Sequence, residues 1–454
     1  MIESMRAAFA LPDLRRRILF TVFLLVIYRL VANIPVPGVD LEAWLAFTNQ
    51  QSANQVVNFL DLLSGGAVRN FSVMAMGVYP YITASIIVQL LTPIIPQLQE
   101  LSSEGESGRN KINKYTYYLT VPLAFLQAVG QIRLVGFSLG VDGLATIMPN
   151  FGLEAGSILP TMTTLFAMLG GTMFAIWLGE LITEDGIGQG ISMIIFSGIV
   201  AGILPGLARL FAPESTTAQT VFTMTAFLLI TIATLLVVVV IQEGQRRIPV
   251  QYGRRVRGRK VYQGQSSYIP LKVNTAGMIP IIFANSIVIF PPLIAGLFVD
   301  GSGSFVDQVA TSVAGFANQD PSQLGFYLYW LLFFLLVVGF TYFYTDVMVR
   351  QQNIPQTLQR QGGFIPGIRP GKRTEIYVMS VVRRITFAGA IFLGTIAALP
   401  GIMQFIGFVI GIQGLQNSTL VISGSGMIIV VGVVIDTMRQ LESQLLMRQY
   451  EGFL

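Results

Sequence analysis

Seven basic side chains, Arg246, Arg247, Arg254, Arg255, Arg257, Arg259 and Lys260, crowd the stretch "QEGQRRIPVQYGRRVRGRKVYQG" against one acid, Glu243, in a 454-residue chain that is only 11% charged. Guanidinium and ammonium groups at that density bind anions: phosphodiesters, anionic lipid heads or acidic protein surfaces. A second run from Arg350 to Arg384 holds seven more, among them Arg369 in "GIRPG". Reaction chemistry is harder to find. The chain has neither histidine nor cysteine, which removes imidazole bases, thiolate nucleophiles, disulfides and nearly all zinc, haem and iron–sulfur centres. Glu180, Glu184 and Asp185 precede the glycine-rich "GIGQG", but no strand leads into it, so the stretch reads as a tight turn opening a helix. "PGIRPGKRT" fails as a phosphate loop, because Pro366 stands where the first glycine belongs and Arg373 where serine or threonine would meet magnesium. No cofactor, metal ion or catalytic residue is expected.

The elements that carry the basic runs are apolar. The chain is 53% hydrophobic, and runs of about 20 uncharged residues, enough to cross a bilayer as helices, recur along it. Backbone polar groups in lipid must be satisfied within their own segment, so the fold class is an all-α polytopic membrane protein. Ten spans are expected, near 18–34, 72–95, 115–132, 158–178, 187–206, 218–242, 273–298, 326–347, 383–405 and 418–437. The first is read as a retained helix, since no small-residue cleavage site follows it. With both termini in the cytoplasm, 24 of the 28 basic residues fall on the cytoplasmic side, which sets an N-in, C-in topology.

Five spans per half would invert the second half relative to the first and place a pathway at their interface. The expected organisation is a cytoplasmic segment 1–17, a first half 18–206, a second half 207–437 with basic loops at 243–272 and 348–382, and a cytoplasmic tail 438–454. Polar and β-branched residues alternate in "GRKVYQGQSSYIPLKV", predicting a hairpin that projects from the membrane. Asp61 to Asn70 is too short and too polar to span and reads either as a half-inserted segment or as an ordinary outer loop running into span two; from Phe71 a full helix with Pro80 inside it is expected.

A coupled carrier keeps an ionisable group at mid-membrane. Here Glu180, Asp346 and Asp436 all lie at cytoplasmic ends of spans. The reading is a passive conduit driven by a cytosolic partner, ahead of an inverted-repeat solute carrier and a membrane-embedded enzyme.

Four stretches, "FSVMAMGVYPYITASIIVQLL", "EDGIGQGISMIIFSGIVAG", "QRRIPVQY" with "GRKVYQGQSSYIPLKVNTAGMIPIIFA", and "GGFIPGIRPGKRT", resemble the SecY family of bacterial protein-conducting channels. The likeness runs over essentially the whole length, with Gln189 standing where asparagine is more usual. It implies two inverted five-helix halves around an hourglass pore. It also implies an aliphatic pore ring of Ile82, Ile86, Ile191, Ile195, Ile282 and Ile429, which would resist ion leakage by dewetting. A plug would comprise Asp61, Leu62, Leu63, Ser64, Gly65, Gly66, Ala67, Val68, Arg69 and Asn70. Gln89 and Asn285 are candidates for hydrogen bonds at a lateral gate between spans two and three and spans seven and eight. Arg246, Arg247, Arg254, Arg255, Arg259, Lys260 and Arg369 would dock the SecA motor ATPase or ribosomal RNA phosphates. The resemblance further implies SecE-like and SecG-like small membrane subunits, and signal sequences, nascent polypeptides and anionic lipids as further partners, in the cytoplasmic membrane of a bacterium.

Overall fold

The computed structural model describes residues 9, 11–44, 64, 67–138, 147–152, 156–210, 217–252, 255–257, 260–262, 266–295, 298, 304–314, 324–351, 354–369, 371–410 and 424–451. Helices dominate: α1 (Pro12–Val31), α2 (Tyr79–Leu91), α3 (Pro96–Ser103), α4 (Glu106–Ser138), α5 (Ile158–Asp185), α6 (Gly190–Leu210) and α7 (Thr217–Glu243) come first. Next come β1 (Gln245–Tyr252), β2 (Arg255–Arg257), β3 (Lys260–Tyr262) and β4 (Ser266–Lys272). The chain then builds α8 (Ile279–Ala295), α9 (Phe305–Ala314), α10 (Leu324–Gln351), α11 (Ile354–Arg360), β5 (Gly363–Phe364), α12 (Lys372–Ala397), α13 (Leu399–Ile410) and α14 (Gly424–Glu451).

Each span expected from sequence overlaps a helix, but the ends differ, the ninth runs across two helices, α12 and α13, and residues 418–423 of the tenth lie outside the described residues. α1 opens at Pro12, inside the N-terminal segment 1–17 expected to be cytoplasmic, because proline at the first helical position lacks only an amide that would be unpaired anyway. α2 begins at Tyr79 and not at Phe71, so Pro80 lies in its first turn. Residues 73–78 form turns. At its other end the chain bends by 104° into α3, where Pro93 and Pro96 deny the helix its amides. α12 opens at Lys372, ahead of the basic pair Arg383 and Arg384 where the ninth span was expected to start.

By length and hydropathy, Ile158–Asp185, Thr225–Glu243, Leu324–Val349 and Lys372–Ala397 each suffice to cross a membrane, and the bent α2–α3 pair makes a fifth. α5, with 28 residues, is about 42 Å long, against a hydrocarbon core of about 30 Å. Shorter apolar helices run over Gly190–Gly202, Ile279–Pro292 and Leu399–Ile410.

Burial is distributed as lipid demands. α7 leaves Leu228, Leu229, Ile232, Leu236 and Val240 exposed, as α10 does Leu328, Leu331, Leu332 and Leu335. In water such faces would drive association. One central core draws buried side chains from α1, α2, α4, α5, α6, α8, α10, α12 and α14. Close approach is bought with glycine: a Cβ on Gly171 of α5 would stand 2.0 Å from the Val73 carbonyl oxygen, so the turns before α2 rest directly on α5.

Candidate functional site

The six isoleucines come from α2 (Ile82, Ile86), α6 (Ile191, Ile195), α8 (Ile282) and α14 (Ile429). Each pair on one helix is four residues apart, one turn, and so lies on one face. Ile82, Ile86, Ile195, Ile282 and Ile429 are all buried in the central core, and Ile191 is half-buried against it. Ile191 also abuts α5: its Cγ1 lies 3.2 Å from where a Cβ on Gly179 would be. α6 packs on α14, and α8 on α2 and α4, and all six isoleucines belong to or abut the same central core. The turn between α5 and α6 has the expected tight form. Gly188 has φ +87°, and a Cβ on Gly190 would meet the Gly179 carbonyl oxygen at 1.8 Å. Ile187 N–H donates to Thr21 Oγ1 of α1 at 3.0 Å and Gly188 N–H to Gln440 Oε1 of α14 at 2.9 Å, which anchors the start of α6 on both sides.

Of the expected plug, Asp61, Leu62, Leu63, Gly65 and Gly66 lie outside the described residues. Ser64, Ala67 and Val68 are buried, Asn70 is half-buried, and Val68–Asn70, which includes Arg69, forms a single 3₁₀ turn. The turn is tied to the end of α1. Tyr28 Oη donates to the Ser64 carbonyl, and Asn70 Nδ2 donates to Asn33 Oδ1 at 2.7 Å. Val36 N–H donates to the Phe71 carbonyl at 2.9 Å and Val73 N–H to Ile34 O at 3.0 Å, an isolated antiparallel bridge. Phe71 takes the left-handed conformation, φ 40°, and its ring meets Trp44 edge-on at 5.0 Å. Irregular backbone buried in this way has its polar groups paired by the chain itself.

Among the described residues neither candidate gate residue bonds across helices. Gln89 is exposed and donates to Ser85 Oγ at 3.0 Å; Asn285 is buried and donates to the Ile281 carbonyl at 3.0 Å, each within its own helix. The bond between α2 and α8 is made instead by Tyr79 Oη to the Ser286 carbonyl, 3.3 Å, and Gln127 Nε2 of α4 donates to Thr83 Oγ1 of α2 at 3.3 Å. The polar tip on Tyr79, in an otherwise apolar run, was the sequence signal for this contact.

The basic stretches build one platform. β1 pairs antiparallel with β4, from Gln245 opposite Lys272 to Gln251 opposite Ser266, and β2 with β3. The hairpin is therefore longer than the expected one and starts at Gln245. β5, from the second basic loop, adds to the other edge of β1, with Gln251 opposite Phe364. Ile248 and Val250 alternate inward onto Leu271, Leu358, Ile365, Val378 and Val382, a core of its own. This holds the hairpin, α11, β5 and the start of α12 together. Arg246 and Arg247 are exposed on β1, the Arg247 guanidinium 4.8 Å from the Tyr268 ring centroid. Arg369 is exposed in the loop before α12, and its carbonyl accepts from the buried Thr374 hydroxyl at 3.0 Å. Arg255 and Lys260 lie on the short strands; Arg254 and Arg259 are outside the described residues.

Long helices with exposed apolar faces, an apolar core shared among them and a basic platform built on its own small core make this a helical membrane protein. The family profile described as SecY matches residues 72–438. A protein translocase subunit SecY of Halalkalibacterium halodurans is 42% identical over 460 residues, covering 100% of both chains. A solved structure described as that of a protein conducting channel superposes with TM-score 0.61 at 18% identity, over 94% of this chain and 91% of its own. Sec61 in a canine ribosome-channel complex from the endoplasmic reticulum gives TM-score 0.57 at 19% identity, covering 94% and 91%. The chain belongs to the SecY family.

Proposed function

We propose that this chain is the central subunit of a bacterial protein translocase, a channel without catalysis of its own. It conducts unfolded secretory polypeptides across the cytoplasmic membrane and releases apolar segments sideways into lipid. The observation that carries the reading is the meeting of apolar isoleucines from α2, α6, α8 and α14 in one core. A narrow aliphatic neck offers no substitute for ion hydration, yet yields to any side chain without holding one tightly.

The segment Asp61 to Asn70 acts as the plug, and α2 with α4 against α8 with α10 as the seam that opens. Full-length relatives named as translocase subunits support this role. Lacking a nucleotide-binding motif, the channel takes its driving force from a SecA motor or a ribosome docked on the β1–β4–β5 platform through Arg246, Arg247, Arg254, Arg255, Arg259, Lys260 and Arg369. The ribosome-bound relative is the support for the second partner. SecE-like and SecG-like subunits and anionic lipids surround the exposed helices, and signal sequences enter at the seam.

The test is SecA-driven movement of a signal-bearing precursor into proteoliposomes holding this chain and its small subunits, wild type against Arg369→Glu. Protected precursor with wild type and stalling in an assembled Arg369→Glu complex is the expected pair of results. A well-folded wild-type complex that moves no precursor overturns the channel reading, whereas an unimpaired variant removes only the docking role.

A further inference from the structure

α14, the turn and first residues of α6, and Met278 just before α8 line an open-sided cavity of ≈ 140 Å³. One water needs only about 10–15 Å³ of such space, so a side-chain head group fits with room to spare. Its wall is graded. Met278 and Val433 are apolar, while Gln189, Ser192, Asp436 and Gln440 are polar.

Most of the polar groups are already committed to the protein. Ser192 Oγ donates to Gln189 Oε1 at 3.0 Å, and Gln440 Oε1 accepts the Gly188 amide at 2.9 Å. Asp436 is exposed and makes no ion pair among the described residues. The cation one turn along its helix, Arg439, is bound to Glu243 at 2.8 Å. An uncompensated carboxylate above an apolar floor matches the one common side-chain type with an aliphatic stem and a cationic head.

The place matters as much as the chemistry. Asp436 is seven residues beyond Ile429 on α14, about 10 Å along the helix axis from the neck. Signal sequences present lysine or arginine immediately before their apolar core. We infer that Asp436 and this cavity form a receiving site for the basic residue ahead of a signal sequence's apolar core, holding it at the mouth while the apolar part enters the seam. The inference rests on the channel reading proposed above.

The experiment uses the reconstituted complex and two precursors that differ only in the signal's leading residues, lysines in one and glutamines in the other. The quantity read is the ratio of their initial translocation rates. Partly exposed ion pairs are weak, so the wild-type preference for the basic precursor should be roughly two- to fivefold. Asp436→Asn should bring the ratio close to one, and Asp436→Glu should retain it. Asp436→Lys should favour a third precursor with leading glutamates, a reversal that loss of packing could not produce. A ratio unchanged in Asp436→Asn, or no reversal in an active Asp436→Lys complex, overturns the assignment. A thermal shift of the complex by potassium or magnesium chloride that Asp436→Asn abolishes would give the cavity to a free cation and overturn it too. Wild type that moves neither precursor fails at the channel reading, and this inference falls with it.

Discussion

Ile86 and Tyr28 show two ways in which single side chains serve the channel. Ile86, one of the residues proposed to form the neck, is buried in the central core with no polar atom to offer. Replacing it with asparagine puts an amide where dewetting is required, so ion leakage through the reconstituted complex should rise several-fold. Chloride efflux from proteoliposomes measures it, and an unchanged leak removes Ile86 from the ring. Tyr28 is fully buried on α1, and its hydroxyl holds the Ser64 carbonyl. Tyr28→Phe keeps the ring and forfeits that bond, which should cost about 1 kcal/mol. The buried carbonyl left without its donor should loosen the segment proposed as the plug, seen as faster labelling of a cysteine placed at Asn70. Cysteine labelling is clean here, because the natural chain has none.

At the scale of elements, glycine decides which helices touch. A Cβ on Gly190 would collide with the Gly179 carbonyl at 1.8 Å, whereas nothing lies within 4 Å of one on Gly202 of the same helix. Gly190→Ala should therefore destabilise the α5–α6 hairpin by about 1–3 kcal/mol, the usual cost of overpacking. Gly202→Ala should be neutral or stabilise by up to about 1 kcal/mol through helix propensity. Thermal unfolding of the detergent-solubilised complex separates the two, and equal midpoints would contradict the packing described. The "GIGQG" turn was legible in the sequence as a turn. Its anchoring to Thr21 and Gln440 was not, since those partners lie 166 and 252 residues away.

For the whole molecule, the two basic stretches are one surface. Arg246 and Arg369 are 123 positions apart in sequence, yet β1 and β5 share a sheet and a core. Charge reversals at Arg246 and Arg369 should thus weaken binding of the same cytosolic partner, with losses that do not simply add. Binding should also fall steeply with salt where the partner is RNA. Titrating the motor or ribosomes against each single variant and the double tests this, and fully independent effects on different partners would argue for two sites.

Composition and hydropathy alone pointed to the class of protein and to the helices that the expected spans overlap, and the residue inventory removed histidine and cysteine chemistry. These are local properties, written in runs of about 20 residues. The short motifs around "PYITASII", "GISMII" and "GIRPG" carried the family resemblance. Tertiary structure alone decided that α2 starts at Tyr79, that Tyr79 bonds to α8 while Asn285 and Gln89 bond within their own helices, that β5 joins β1, and that Asp436 lines a cavity with no cation partner among the described residues. Each depends on which distant backbone comes within hydrogen-bonding or van der Waals reach, and hydropathy along a single chain holds no record of that.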